Sequence, residues 1–400
     1  MNRRRSIVLF LIVFSNFLGA TVVLPTLPLY AQRYFTMSPE AISTLLDSYF
    51  IAQFVAAPWI GRLSDRFGRV PVLLVSQLGT VVSFVMLGFA ASVPMLFAAR
   101  ILDGITGGNV IVAQAYIADV SPREKRTQSL SLVWMAFGLG YILGPALGGI
   151  IAAIFNEQAT FLIGAGISLL SLALTWLLLD ESLTPERRAA RLALKKASMR
   201  LQDIVSNTPL VLVLTIGFGT QLGLSLLTAT LALFGAAVIF AGQTPDAINL
   251  GVGLLLACIG MGQFLTQLLL IKPLVQRYGE RRLVVLGSLL RATAMLAMSA
   301  FVLPVTEGGA LMLFAFASGI MMPSLQALAT TSVEAEFNGV VLGYYQAAVS
   351  LGIIAGTWLG GQFFAVTPTL PYVIGGVLLL VTIIPAVLLV RQPQPVAAAS

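Results

Sequence analysis

The sequence predicts an all-α integral membrane protein whose twelve transmembrane helices form two pseudo-symmetric six-helix bundles. Three observations lead there. The 400 residues are 58% hydrophobic and 10% charged, with a mean hydropathy of +0.94, which leaves too little polar surface for a soluble domain of this length. The apolar residues fall in runs of the length a bilayer demands, roughly 20 per helix. One half of the chain also repeats the other. Leu139-Gly140, Gly144 and Leu147-Gly148-Gly149 recur as Leu351-Gly352, Gly356 and Leu359-Gly360-Gly361, displaced by 212 residues. Leu63, Arg66 and Gly68 recur as Leu274, Arg277 and Gly279, displaced by 211, and Gln53-Phe54 as Gln263-Phe264, displaced by 210. Agreement of that kind implies duplication, with halves related by an axis along the membrane normal, the organisation of an alternating-access carrier.

The elements follow in order. The first apolar run, residues 6–30, comes after Arg3, Arg4 and Arg5; it is too long for a signal peptide and lacks an A-x-A site, so it reads as a first span entering from the cytoplasm. Charge and Pro/Gly clusters set the next spans at 42–61, 70–91, 95–118, 128–153 and 159–179. The second half reads as 208–232, 248–271, 283–303, 309–331, 339–363 and 369–390. With both termini cytoplasmic, the inner segments hold 20 of the 23 Lys and Arg, as the positive-inside rule requires. This is the pattern of a multi-pass membrane protein, for which the inner (plasma) membrane of a prokaryote is the location expected. The net charge of +7 therefore reflects topology, not nucleic-acid binding. Arg33 falls on the first outer loop, while Arg100 and Arg291 lie inside spans.

The domain division expected is a bundle over 1–180, a basic linker over 181–207 and a second bundle over 208–400. The linker interleaves Arg187, Arg188, Arg191, Lys195, Lys196 and Arg200 with Leu192, Leu194, Met199 and Leu201. An amphipathic segment on the inner leaflet and a solvated tether both account for it.

Between the second and third spans lies a dense charged turn, Gly61 to Val70, holding Arg62, Arg66, Arg69 and Asp65 with Gly61 and Gly68. Asp65 ends the second helix, where a carboxylate pairs with Arg69 or with the N-terminus of a neighbouring helix. The arginines alone would follow from topology. Topology does not account for Asp65, nor for Gly61 and Gly68, which suit close helix approach and a tight turn. In the second half Val275 or Gln276 stands where Asp65 maps.

Inside the membrane, Arg100 and Asp103 lie three apart on the fourth span, close enough to interact. They form either an architectural ion pair or a proton-exchanging acid with its tuning partner. Asp47, near the outer end of the second span, is a reserve acid that could instead be solvated at a cavity mouth. Gly140, Gly144 and Gly148 lie on one face of the fifth span beside Pro145 and Gly149, allowing close backbone approach and a kink. Their recurrence in the eleventh span suggests paired hinge surfaces, although packing explains any one of them. The chain has no His and one Cys, Cys258. That removes the His-based catalytic pairs, a disulfide framework and a thiolate metal site. No enzyme activity, catalytic residue, metal or cofactor is expected.

At these residues the chain resembles the twelve-helix drug:proton antiporters of the major facilitator superfamily, and most of all the tetracycline-efflux type. The resemblance rests on Gly61 to Val70, on Arg100-Ile101-Leu102-Asp103-Gly104, on Ala115-Tyr116-Ile117-Ala118-Asp119, and on Gly140 to Gly149, which matches the antiporter signature. It implies a secondary transporter that exports small, amphipathic organic compounds or drugs in exchange for protons by alternating access, with a part in antibiotic resistance. It implies that Asp65, Arg69 and Asp119 latch the cytoplasmic side, and that the segment holding Arg100 takes part in coupling. Substrate, protons and membrane lipid are the partners, and the chain acts as a monomer. One departure matters. Where tetracycline exporters of this type carry an aspartate, this chain has Asn16, which neither carries a proton nor holds a cationic metal chelate. A uniporter or symporter of the same fold, for a metabolite or lipid-like solute, is the alternative. Asn16, Gln53, Asn109, Gln114, Gln221, Gln263, Gln326 and Gln346, with Tyr49, Trp134 and Phe137 as aromatic walls, are the candidate cavity residues.

Overall fold

The computed structural model describes residues 3–107, 112–113, 115–116, 119, 126–182, 201–333 and 337–392. Almost all of them are helical. The first part of the chain forms α1 (Arg3–Val22), α2 (Thr26–Phe35), α3 (Pro39–Phe67), α4 (Arg69–Gly88), α5 (Val93–Thr106), α6 (Arg126–Ile154) and α7 (Glu157–Leu178). The short α8 (Leu201–Ser206) leads into α9 (Thr208–Phe234) and α10 (Pro245–Leu265). Then come α11 (Ile271–Tyr278), α12 (Glu280–Ala300), α13 (Pro304–Thr331), α14 (Asn338–Val366), α15 (Leu370–Val381) and α16 (Ile383–Arg391). Among the described residues nine helical stretches are long and apolar enough to cross a membrane, and Gly138–Ile154 is a shorter apolar one. The expected second span, within α3, is not among the nine; Ser43, Thr44, Asp47, Ser48 and Gln53 hold its hydropathy down.

Several boundaries differ from the sequence reading for identifiable reasons. The first span is broken: α1 ends at Val22 and α2 starts at Thr26, because Pro25 cannot donate a backbone hydrogen bond. Arg33 therefore lies in the last turn of α2, not on a loop. The charged stretch from Gly61 to Val70 is likewise mostly helix. α3 runs on to Phe67, Gly68 alone makes the turn at φ 109°, and α4 begins at Arg69. Gly279 does the same between α11 and α12 at φ 75°. Only a residue without Cβ adopts this backbone cheaply. Two short π-helical stretches, Gly235–Ile239 and Thr266–Leu270, interrupt the seventh and eighth spans.

The described chain divides into two compact units. The first comprises Met1–Leu194 with Gly235–Gly260, the second Lys195–Phe234 with Met261–Ser400. Most of α10 thus groups with the first half of the sequence. Close contacts between α6 and α10 explain why: a Cβ at Gly149 of α6 would stand 2.5 Å from the Asn249 carbonyl oxygen and 3.0 Å from the Gly253 Cα of α10. In the first unit α1 packs on α6 and α7, α3 on α5, and α4 on α7; in the second α9 packs on α14, and α12 on α13 and α15.

Polar groups are hydrogen-bonded among the buried helices while large apolar side chains face outward, as lipid demands. Gln77 donates to the Ser171 hydroxyl at 3.1 Å and to that of Thr175 at 3.0 Å, while Ser171 donates to the Ile12 carbonyl at 3.1 Å. Large apolar side chains such as Val75, Leu169, Leu170, Trp176 and Leu177 point outward.

Candidate functional site

Arg69 is the centre of the first cluster. It is buried at the start of α4, where its Nη2 donates to Asp65 Oδ1 at 2.6 Å and its Nε to Asp119 Oδ2 at 3.0 Å. Nη1 donates to the hydroxyl of Ser64. Two carboxylates on one guanidinium satisfy its charge, and charge-assisted bonds of this kind are the stronger sort. The N-terminus of α4 is covered by Glu181, whose carboxylate accepts from the backbone N–H of Arg69 at 3.0 Å and of Val70 at 3.1 Å. Gly68 offers no side chain for that task, so a distant acid meets the positive end of the helix. Tyr116 adds a bond from its hydroxyl to the Asp180 carbonyl at 2.7 Å. The cluster ties α3, α4, residues 116 and 119, and the segment after α7 together within the first unit. Arg62 and Arg66 remain exposed, and Arg66 lies over the Phe67 ring at 5.3 Å as Arg277 lies over Tyr278 at 5.5 Å. Gly61 has nothing within 4 Å of a would-be Cβ, so close helix approach is not what it serves here.

The second cluster joins α3 and α5. Arg100 Nη1 donates to Asp103 Oδ2 at 3.2 Å, and its guanidinium lies 4.4 Å over the Tyr49 ring. Thr80 of α4 lies beside the Asp103 carboxyl. Gln53 donates to the Tyr49 hydroxyl at 3.0 Å and to the Gly107 carbonyl at 2.9 Å. Gly104 makes the approach possible, since a Cβ there would meet Ala52 Cβ at 2.7 Å. Four residues expected separately as coupling or cavity groups therefore form one cluster, with Asp103 only 6% exposed. Asp47 is elsewhere on α3 and only 3% exposed, so it is not solvated at a cavity mouth; neither carboxylate oxygen has a hydrogen-bond partner among the described residues.

Along α6 the glycines meet α1. A Cβ at Gly140 would stand 2.9 Å from Phe17 Cβ, Gly144 abuts Thr21, and Gly148 abuts Val22. The Thr21 hydroxyl donates to the Gly140 carbonyl at 2.8 Å. Pro145 stays inside the continuous helix, and being without N–H it cannot donate to the carbonyl of Tyr141, against which Gly260 of α10 packs. The repeat holds in space as well as in sequence. Gly352 and Gly356 of α14 press on Phe218, Leu222 and Ser225 of α9, and Gly360 on Leu226 and Thr230.

Three further groups were not singled out as functional by the sequence reading. Arg33 pairs with Glu157 of α7 and donates to the Asn249 side-chain oxygen of α10 at 3.1 Å, and Asn249 in turn donates to Glu157 at 3.3 Å. These three residues with Tyr34, Asp246 and their neighbours line a cavity of about 330 Å³ in the first unit. In the second unit Glu307 is fully buried with neither carboxylate oxygen hydrogen-bonded among the described residues. Arg291 of α12 is fully buried too. Of the remaining cavity candidates, Gln221 is buried on α9, Asn16, Gln263 and Gln326 are half-buried, and Gln346 is exposed. Asn109 and Gln114 lie outside the described residues, as do the side chains of Trp134 and Phe137 and most of the basic linker.

The family model described as Major Facilitator Superfamily matches residues 9–247 and 225–400. The chain belongs to this superfamily. Within it, the chain is 32% identical over 370 residues to the class C tetracycline resistance protein of Escherichia coli, covering 91% of each chain. It is 27% identical over 391 residues to multidrug resistance protein 2 of Bacillus subtilis (strain 168), covering 95% of this chain and 94% of that one. Among solved structures, a bacterial homolog of the human lysosomal transporter Spinster matches with a TM-score of 0.77 at 17% identity, over 99% of this chain and 98% of the other. That likeness concerns the fold. The superfamily membership accounts for the helical, multi-pass architecture.

Proposed function

We propose that the chain is a drug-efflux transporter that exports small amphipathic organic compounds in exchange for protons by alternating access between two six-helix halves. The observation that carries this reading is the Arg100–Asp103–Thr80–Tyr49 cluster, a buried acid on a membrane helix held by a charged partner that has a second resting place. When Asp103 is ionised, Arg100 and Thr80 satisfy it. A proton arriving on Asp103 weakens the pair and leaves Arg100 held by the Tyr49 ring of α3, which it already overlies, so the balance of contacts between α3 and α5 changes with the proton. The names of the relatives point to drug export, and the Asp65–Arg69–Asp119 cluster supports a switch at the α3–α4 turn. Asn16 favours a second reading, uniport or symport of a metabolite, because the first span has no acid at that position.

The test is a growth-inhibition panel in an efflux-deficient host together with proton flux in proteoliposomes. The wild type is expected to raise resistance to some compounds and to move protons against them. Asp103→Asn is expected to abolish proton movement and the resistance with it, while the protein stays in the membrane. Substrate movement indifferent to an imposed pH gradient would decide for the second reading.

A further inference from the structure

Displacement by 211 residues carries Thr80 onto Arg291 and Asp103 onto Phe314. In the first unit the earlier pair are neighbours, Thr80 lying beside the Asp103 carboxyl. In the second unit the later pair are neighbours too, the Arg291 guanidinium lying 4.5 Å over the Phe314 ring. The same place in the duplicated fold thus holds a carboxylate in one half and a guanidinium in the other.

The guanidinium is not neutralised. Arg291 is 0% exposed, its Nη2 donates to the Thr220 carbonyl at 2.6 Å, and its Nε and Nη1 have no hydrogen-bond partner among the described residues. None of the ion pairs found there includes it. Glu307, on the same helix as Phe314, gives it no carboxylate oxygen. Arginine cannot shed its proton to escape burial, and an uncompensated charge in a membrane helix is costly. A carbonyl and a ring face are partial compensation that leaves two nitrogens with open donors.

We propose that Arg291 recognises the acidic group of the transported compound, and that the substrates are small amphipathic organic acids bearing a carboxylate or sulfonate. Arg291 Nε and Nη1 take the acid oxygens, and the Phe314 ring holds the guanidinium plane. Because the guanidinium is enclosed here, the acid reaches it when α9, α12, α13 and α14 part. This inference rests on the export reading above.

The test uses an efflux-deficient host carrying the wild type, Arg291→Met or Arg291→Lys. Cellular accumulation is measured for fusidate, nalidixate and fluorescein, each against its own methyl ester. The wild type is expected to lower accumulation of at least one acid more than that of its ester. Arg291→Met should cut that acid's export by about tenfold to a hundredfold, the range for a hydrogen bond to a charged group, and leave ester export unchanged. Arg291→Lys should keep part of the acid export. Membrane levels and thermal unfolding of the purified variants separate loss of recognition from loss of protein. If Arg291→Met does not reach the membrane, Arg291→Lys decides: a loss confined to the acids supports the proposal and an equal loss overturns it. Esters exported while acids are not, or acids and esters lost together in a well-folded variant, would refute the role of Arg291 and leave drug export standing. No acid and no ester exported by the wild type would remove the export reading and this inference with it.

Discussion

Asp65 is the acid that the second half of the chain lacks, and its contact explains what that costs. Arg69 divides its donors between Asp65, Asp119 and Ser64, so removing Asp65 leaves the guanidinium with one carboxylate and keeps the cluster standing. Asp65→Asn is therefore expected to slow transport several-fold with little loss of stability, about 1 kcal/mol for one charge-assisted bond in a partly exposed position. Turnover and substrate affinity, measured separately in proteoliposomes, check this; unchanged turnover would reduce the residue to topology. Asp65, Arg69 and Asp119 were legible because their types and spacing are unusual in so apolar a chain. Ser64 and Glu181 were not, since a serine on a helix end and an acid at the end of the sixth span carry no local signal. Their roles arise when the segment after α7 is brought to the start of α4.

Helix contacts make different demands on glycines that look alike in sequence. Gly149→Val would force a Cβ to within 2.5 Å of the Asn249 carbonyl oxygen, whereas Gly61→Ala meets nothing within 4 Å. The first is expected to lower stability by about 1–3 kcal/mol, the usual cost of overpacking, and to impair transport. The second is expected to be neutral or slightly stabilising, because alanine is the better helix former by about 1 kcal/mol. Thermal unfolding of the purified variants distinguishes them. The repeated glycines announced α6 and α14, but not which helix each would meet. That partner depends on the tertiary arrangement, as does the pairing of Arg33, Glu157 and Asn249 from three distant segments. The π-helical stretches were equally invisible, since Gly235–Ile239 and Thr266–Leu270 are ordinary apolar sequence. Pro25 did carry a break signal, and the length of the apolar run masked it.

For the molecule as a whole, apolar run length and basic-residue placement made the all-helical membrane architecture legible, and three matching displacements showed the duplication. The sidedness they imply is open to direct measurement, because Cys258 is the chain's single cysteine. In a Cys258→Ala background, a cysteine replacing Gln243 is expected to react with a membrane-impermeant maleimide in intact cells. A cysteine replacing Gln392 is expected to react only after the cells are opened. The reverse pattern would invert the topology.

The grouping of Gly235–Gly260 with the first unit has a consequence for how the polypeptide can be divided. A cut in the basic segment after residue 182 would follow the ancient duplication, yet it would separate α10 from the surfaces of α6 and α7 that receive it. Each fragment would then carry a bare stripe: Gly149 and the Pro145 turn on one, Gly253 and Gly260 on the other. The gene's seam and the molecule's seam do not coincide. The chain passes from one compact unit to the other within α10, after Gly260, so the covalent path between them includes a helix as well as the basic segment.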